Sequence, residues 1–393
     1  MSRSGLSAAK LGRMHDVLAG YVERGEVPGL VAVVARRGEA HVDAIGASRD
    51  SLFRIASMTK PVTAVAAMIL VEEGSARLDE PVDALLPELA HRRVLRSVES
   101  ELDDTVPSNR PITLRDLLTF RLGFGLVMAM PGAYPIQRAL EELGLAPGPP
   151  APAKMPAPDE YMRRLGTLPL MHQPGERWMY NTGSDVLGVF IARATGKTLD
   201  EFLRERIFEP LGMKDTGFYV PAGNIKRLLP SYSTNWQTGK VELYDPPDGQ
   251  WSNPPPFPSG AGGLVSTADD FLAFGEMMLH QGVRGNRRIL SRPAVAAMTT
   301  DQITPAQKTV SGLGRDFFEN QGWGFGVSIF TKRFDTWATI GKYGWNGGLG
   351  TSWYSDPAEE MVTILLTQRG MESPDAPPVF EDFWSLAYAA IDD

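Results

Sequence analysis

The 393-residue sequence predicts an α+β fold in which one antiparallel sheet is built from both ends of the chain, with a helical region inserted between them. Three observations predict it. Strand-like apolar runs gather at residues 29–45 and again at 323–367. Between them, apolar residues recur at helical spacing. Clusters of proline and glycine at 128–158, 244–258 and 259–263 punctuate the blocks. Residues 1–51 and 259–393 are therefore expected to form the region with the sheet, and 52–258 a mainly helical region.

Taken in order, residues 11–22 place Leu11, Met14, Val17, Leu18 and Tyr21 at helical spacing and stop at Gly25. Residues 29–35 form a continuous apolar run and 41–45 an alternating one, with Arg36-Arg37-Gly38-Glu39 between them, so they read as a β-hairpin. A helix buried on most sides follows, from near Ser57 to Gly74, because Val62, Val65, Met68, Ile69, Leu70 and Val71 alternate with alanines. Pro61 fixes its start, since a proline lacks the N–H that every later turn needs. Leu78, Val82, Leu85 and Leu86 suggest a short irregular helix. Thr113 and Asp116 form a capping-box pair for another.

Residues 128–158 carry eight prolines around one expected helix at 136–143, a long surface excursion read as a lid over a site in preference to a plain linker. Two helices are expected at 185–194, closed by Gly196, and from Leu199 to Pro210-Leu211-Gly212. Ser266 or Thr267 caps another after the glycine-rich run Ser259-Gly260-Ala261-Gly262-Gly263. That run is not a phosphate loop, because it lacks the following lysine and the preceding strand. Residues 323–330, 342–354 and 361–367 read as three antiparallel strands, and a helix over 383–391 closes the chain.

Composition bounds the function. Hydrophobic residues make up 43% and charged residues 22%, the balance of an ordinary folded globule. A net charge of −8 argues against nucleic acid and anionic membrane as partners. With no cysteine there is no disulfide, no thiolate nucleophile and no thiolate metal site. The N-terminal residues contain no apolar run of signal-peptide length, and no later stretch is long enough to span a bilayer, so a cytoplasmic location is expected.

The chemistry centres on Ser57-Met58-Thr59-Lys60. A serine hydroxyl needs a base before it can attack a carbonyl. The five histidines (His15, His41, His91, His172, His280) lie outside any motif-like setting, and no Gly-x-Ser-x-Gly elbow occurs. Lys60, one turn on from Ser57, can reach its hydroxyl. Free lysine and tyrosine both titrate near about 10, so Lys60 or its partner Tyr180 must be shifted to act as a base. A buried ammonium beside Tyr180 would favour phenolate, whereas desolvation would favour a neutral Lys60. Proton transfer is therefore assigned to the pair. The helix N-terminus at Ser57 also offers its backbone N–H to an oxyanion.

Four motifs in register carry a resemblance. Phe-Arg-Ile-Ala-Ser57-Met-Thr-Lys60-Pro, Tyr180 after Pro-Gly-x-x-Trp, Gly262-Gly263-Leu264-Val265-Ser266-Thr267, and Trp345-Asn346-Gly347-Gly348 resemble the serine β-lactamase and penicillin-binding-protein superfamily. The chain looks most like the class C β-lactamase-like, or family VIII, carboxylesterases. The resemblance implies a β-lactamase/transpeptidase-like fold, Ser57, Lys60 and Tyr180 as catalytic residues, and the Gly348 N–H as second oxyanion donor. It implies no metal and no cofactor.

Where penicillin-recognising members carry Lys-Thr-Gly, this chain reads Trp345-Asn346-Gly347. Asn181 directly follows Tyr180, so the usual Tyr-x-Asn amide is displaced. The frequent His-Thr-Ser-Gly stretch appears as Phe120-Arg121-Leu122-Gly123. These departures favour a neutral apolar acyl group. Trp345, Asn346, Gly347, Trp353, Asn181, Tyr134 and Phe257 are the candidate pocket residues. Arg54, Arg121 and Lys342 are candidate substitutes for the missing cation. The expected activity is hydrolysis of short-chain carboxylic esters by a monomer or homodimer with a small-molecule substrate. The alternatives are a β-lactamase, a D-amino-acid amidase or peptidase, an acyltransferase, and a non-catalytic binder of the same fold.

Overall fold

The computed structural model describes residues 3–235, 237–314 and 316–393. A seven-stranded antiparallel sheet is its frame. The strands are β1 (Leu30–Arg36), β2 (Glu39–Ile45), β3 (Gln321–Trp323), β4 (Ser328–Phe330), β5 (Tyr343–Gly347), β6 (Thr351–Asp356) and β7 (Met361–Thr367), in the spatial order β3-β4-β5-β6-β7-β1-β2. Two strands thus come from the N-terminal part and five from the C-terminal part, joined where β1 pairs with β7, Leu30 opposite Thr367 and Arg36 opposite Met361. The sheet holds five C-terminal strands where three were expected. Each of the first two expected runs folds into a hairpin, turning at Gly324-Phe325-Gly326-Val327 and at Gly348-Leu349-Gly350.

β1 is apolar at every position because both faces of the sheet are covered. Leu30, Ala32 and Val34 pack with α1 (Ala8–Glu23) and the C-terminal helix Pro378–Ala389. Val31, Val33 and Ala35 join the larger core, which also contains α2 (Thr59–Glu72) and the helix Ala268–Leu279. That larger core is continuous from the sheet into the helical region.

α2 is buried along nearly its whole length, as its alanine-rich pattern requires. It is preceded by one tight turn of 3₁₀ helix, Ala56–Met58, and ends at Gly74 with φ +72°. α3 (Leu114–Leu118) has the expected Thr113–Asp116 capping box. α4 (Pro135–Glu142) lies in the proline-rich excursion, followed by a short turn at Pro152–Lys154 and by α5 (Pro158–Thr167), which the sequence did not suggest. α6 (Thr182–Thr195) stops at Gly196 in the left-handed region, and α7 (Leu199–Leu203) continues through a wider turn, Arg204–Phe208, to Gly212. The expected irregular helix near 78–86 is instead a set of turns leading to Pro87–Leu89. No helix of the described residues is long and apolar enough to cross a membrane.

Candidate active site

Ser57 occupies the tight turn before α2, where Ala56 adopts φ +44°, a left-handed conformation that costs a non-glycine residue roughly 1–3 kcal/mol. The strain aims the serine out of the core. Of the chain from Ser51 to Lys60, only Ser57 is more than marginally exposed. One turn on, Lys60 is fully buried, and its amine meets three groups: Ser57 Oγ at 2.9 Å, Asn181 Oδ1 at 2.8 Å and the Ala261 carbonyl at 2.6 Å. Asn181 is the N-cap of α6 and itself has φ +84°. Both flanks of the site are therefore held in uncommon backbone geometry.

Burial pushes the Lys60 amine down to about 7, opposed by the nearby Asp185 carboxyl. Tyr180 is pushed the other way. Burial raises its phenol to about 12, against hydrogen bonds from Ser57 and Trp345 that favour the ionised form. Of the two charge arrangements open at the sequence level, the surroundings favour the neutral amine and the neutral phenol. The Lys60 amine stands 4.5 Å from the centre of the Tyr180 ring. The Tyr180 oxygen accepts a hydrogen bond from the Trp345 indole Nε1 at 2.7 Å. Phe120, Trp178, Trp323 and Trp345 surround that ring, with centroids 5.7–6.4 Å from it.

These groups open on a cavity of about 1240 Å³, lined by Ser57, Tyr180, Asn181, Trp345, Asn346 and Gly348 and on another side by residues 144–152 of the proline-rich excursion. The excursion is strapped down where the Tyr244 hydroxyl donates to the Pro150 carbonyl at 2.6 Å. Among the described lining residues, acids outnumber bases: Asp185, Asp316, Glu319, Glu372, Asp375 and Glu381 face one lysine, Lys154. Ser57 and Gly348 both line the cavity.

The family described as Beta-lactamase matches residues 14–381. The chain belongs to the beta-lactamase family. Among its relatives, protein Rv1367c of Mycobacterium tuberculosis is 38% identical over 339 residues, covering 84% of this chain and 81% of that one. Esterase EstB of Burkholderia gladioli is 31% identical over 402 residues, 95% and 94% of the two chains. Among solved structures, EstCE1, described as a hydrolase with promiscuous acyltransferase activity, superposes with a TM-score of 0.76 at 23% identity, covering 98% of this chain and 99% of that one. A LovD6 mutant of simvastatin synthase from Aspergillus terreus superposes with a TM-score of 0.77 at 24% identity, covering 99% and 98%. These superpositions show the β-lactamase-type fold.

Within that family frame, four expected pocket residues fall elsewhere. Trp353 is fully buried beneath the helix Ala268–Leu279, against Phe271 and Phe274. The two sheet positions Trp345 and Trp353 are opposite one another, yet only Trp345 reaches the site. Phe257 lies behind Tyr161, 4.8 Å between ring centres, and Tyr161 is the residue that faces the cavity. Tyr134 begins α4 and packs on the core instead of the cavity wall. Gly347 is a packing residue, since a Cβ there would stand 2.3 Å from the Ile55 carbonyl oxygen. Gly348 differs, because nothing stands within 4 Å of where its Cβ would be.

The three candidate substitute cations are also committed elsewhere. Arg54 donates to Asp245 at 2.9 Å inside the core, Arg121 to Thr119 and Gln307, and Lys342 to the Trp337 carbonyl at 3.1 Å. Two features went unread in the sequence. One is the Ala261 carbonyl on the glycine-rich run, which is a Lys60 partner; the other is Asp185, buried on the first turn of α6. The glycines were the only signal for the first. For the second, a carboxylate five residues after Tyr180 in an otherwise apolar helix was the available sign.

Proposed function

We propose that the chain is a carboxylesterase, a serine hydrolase that cleaves neutral carboxylic esters through an acyl-enzyme on Ser57, with Lys60 and Tyr180 moving the protons. The observation that carries this reading is the 2.9 Å contact between the Ser57 hydroxyl and a buried lysine amine whose proton is held only up to about 7. Two of the three Lys60 neighbours, the Ala261 carbonyl and Asn181 Oδ1, are acceptors. A neutral amine uses its two N–H groups on them and keeps its lone pair free for the Ser57 proton once the hydroxyl turns from Tyr180 to Lys60, which is the arrangement a general base requires.

In this scheme Lys60 takes the Ser57 proton as Oγ attacks the ester carbonyl carbon. The oxyanion forms between the N–H groups of Ser57 and Gly348. The C–O bond to the alcohol then breaks, and the leaving oxygen takes its proton from Tyr180, which is restored from the Lys60 ammonium. Water repeats the sequence on the acyl-enzyme and releases the acid. The lining, which among the described residues carries six carboxylates and one lysine, supports neutral substrates over carboxylates. Short-chain esters fit with room to spare in about 1240 Å³, so their size is not the limit of the site.

The volume supports a second reading, in which an alcohol takes the place of water and the acyl group is transferred. The relatives described as methylbutanoyltransferases and acyltransferases point the same way. Incubation with p-nitrophenyl butyrate tests the main reading: wild type hydrolyses it and Ser57→Ala does not, with the circular dichroism unchanged. Activity of Ser57→Ala within tenfold of wild type overturns it. Added butanol that yields butyl butyrate in place of butyrate establishes the transfer.

A further inference from the structure

We propose that Asp185 is a positioning residue for this reaction, gripping the Ser259–Ala261 turn so that the Ala261 carbonyl meets the Lys60 amine. The inference rests on the Ser57–Lys60 reading above and names a group that reading did not use. Asp185 is 5% exposed and sits in the first turn of α6, four residues beyond Asn181. Its Oδ1 accepts the Ser259 hydroxyl at 2.6 Å and the Ala261 N–H at 3.1 Å. The Ala261 carbonyl in turn accepts from Lys60 at 2.6 Å. One residue of a glycine-rich loop is thus held at its N–H by a carboxylate and at its C=O by the base.

The rest of the loop is fastened in the same way. The Gly260 carbonyl accepts from Thr63 Oγ1 at 2.9 Å, the Leu264 N–H donates to Thr59 Oγ1 at 3.2 Å, and the Gly262 N–H donates to Ser259 Oγ at 3.1 Å. Thr59 and Thr63 flank Lys60 on α2. The glycines allow this fit: a Cβ at Gly260 would stand 2.4 Å from the Ser184 carbonyl oxygen, and one at Gly262 would stand 3.0 Å from Pro150. The loop therefore packs closely on α2 and α6 while its other side lines the cavity, and Asp185 on α6 is the charged group that holds it.

Charge follows geometry. Among the described residues the groups that face Lys60 are Ser57, Tyr180, Asn181, the Ala261 carbonyl and, through the loop, Asp185; the last is the formal charge among them, and it favours the ammonium. Asp185 itself is raised by burial and held down by Ser259, Lys60 and the Ala261 N–H, and Tyr161 is the other titratable group beside it. Asp185 thus opposes the burial that would otherwise make Lys60 a weaker base still.

The test uses a fluorophosphonate, which labels an activated serine without knowledge of the natural ester. Ser57 Oγ attacks phosphorus, fluoride leaves and the proton goes to Lys60. The rate is measured from pH 5 to 9 by intact mass for wild type, Asp185→Asn and Asp185→Ala. Asp185→Asn keeps an acceptor for Ser259 and Ala261 but loses the charge, so its acid limb is expected to move at least about half a pH unit lower. Asp185→Ala frees the turn, and its plateau rate is expected to drop at least tenfold. Labelling of wild type at Ser57 with an unmoved acid limb in Asp185→Asn and an Asp185→Ala plateau within twofold of wild type overturns the Asp185 role alone. Absence of wild-type labelling overturns the nucleophile reading on which it rests.

Discussion

The indole N–H of Trp345 donates to the phenol oxygen of Tyr180 at 2.7 Å, on the strand position where the penicillin-recognising pattern has a lysine. A residue that would elsewhere face a substrate carboxylate here faces the enzyme's own tyrosine. Trp345→Phe retains the ring packing and removes the donor. About a tenfold fall in kcat is expected, the worth of one hydrogen bond to a group that changes charge during reaction. Trp345→Lys is expected to lose ester activity by more, since a cation beside Tyr180 favours phenolate and takes away the proton donor. Steady-state kinetics on p-nitrophenyl butyrate checks both.

In the proposed mechanism Lys60 accepts the Ser57 proton only when neutral, and burial lowers it to about 7. Activity should therefore fall as pH drops through 7, with a slope of one in log kcat/KM. No matching loss is expected between pH 8 and 10, because Tyr180 keeps its proton up to about 12. Lys60→Ala and Tyr180→Phe should each cost at least about 10³ in kcat, and the double variant far less than the product, as for groups acting as a unit. Additive losses, measured by the same assay, would separate their roles.

Selectivity against lactams is the third expectation. A β-lactam carboxylate would enter a cavity whose charged lining, among the described residues, is six acids and Lys154, and Arg54, Arg121 and Lys342 are all bonded elsewhere. An unpaired buried carboxylate is costly. kcat/KM for p-nitrophenyl butyrate is expected to exceed that for nitrocefin by at least about 10²-fold, or roughly 2.7 kcal/mol. Equal rates would replace the esterase reading with a β-lactamase one.

Lys342 supplies the fourth. Its amine is buried among the rings of Phe330, Trp337, Tyr354, Trp384 and Tyr388, 4.6–5.7 Å from their centres, and burial lowers it to about 7 from 10.5. The unfolded amine keeps its proton to higher pH than the folded one. The burial cost is thus fully present below pH 7 and is relieved as pH rises from there toward 10.5. Lys342→Met should stabilise the protein by about 1–4 kcal/mol at pH 6 and by less at pH 9. A melting temperature with the same pH slope as wild type would refute this.

The first strands, the buried helix α2 and the closeness of Ser57 to Lys60 were legible in the sequence because each is a local signal. β1 is apolar throughout, α2 is alanine-rich and buried, and Ser57 and Lys60 lie on one turn. The number of C-terminal strands was not, because Gly324-Phe325-Gly326 and Gly348-Leu349-Gly350 look like strand interior until both arms find partners. Trp353, Phe257 and Tyr134 were misassigned for a related reason: an aromatic at a plausible spacing carries no sign of what will cover it, and Trp353, directly opposite Trp345 in the sheet, is roofed by Phe271 and Phe274. Asp185 and the Ala261 carbonyl act through folds of the chain 76 residues apart, and no local pattern records such a meeting.

Because β1 lies between β2 and β7, synthesis imposes an order on folding. The hairpin β1–β2 is available as soon as residue 45 emerges, but the other edge of β1 stays unpaired until residues 361–367 exist. For more than 300 residues of elongation a seven-residue segment of Leu, Val and Ala with one terminal arginine presents an open strand edge. Such a segment is a template for association with other nascent chains. High relative contact order of this kind also slows the final closure. Expression yield of this protein should therefore respond to chaperone holdases and to lower growth temperature more than its folded stability would suggest.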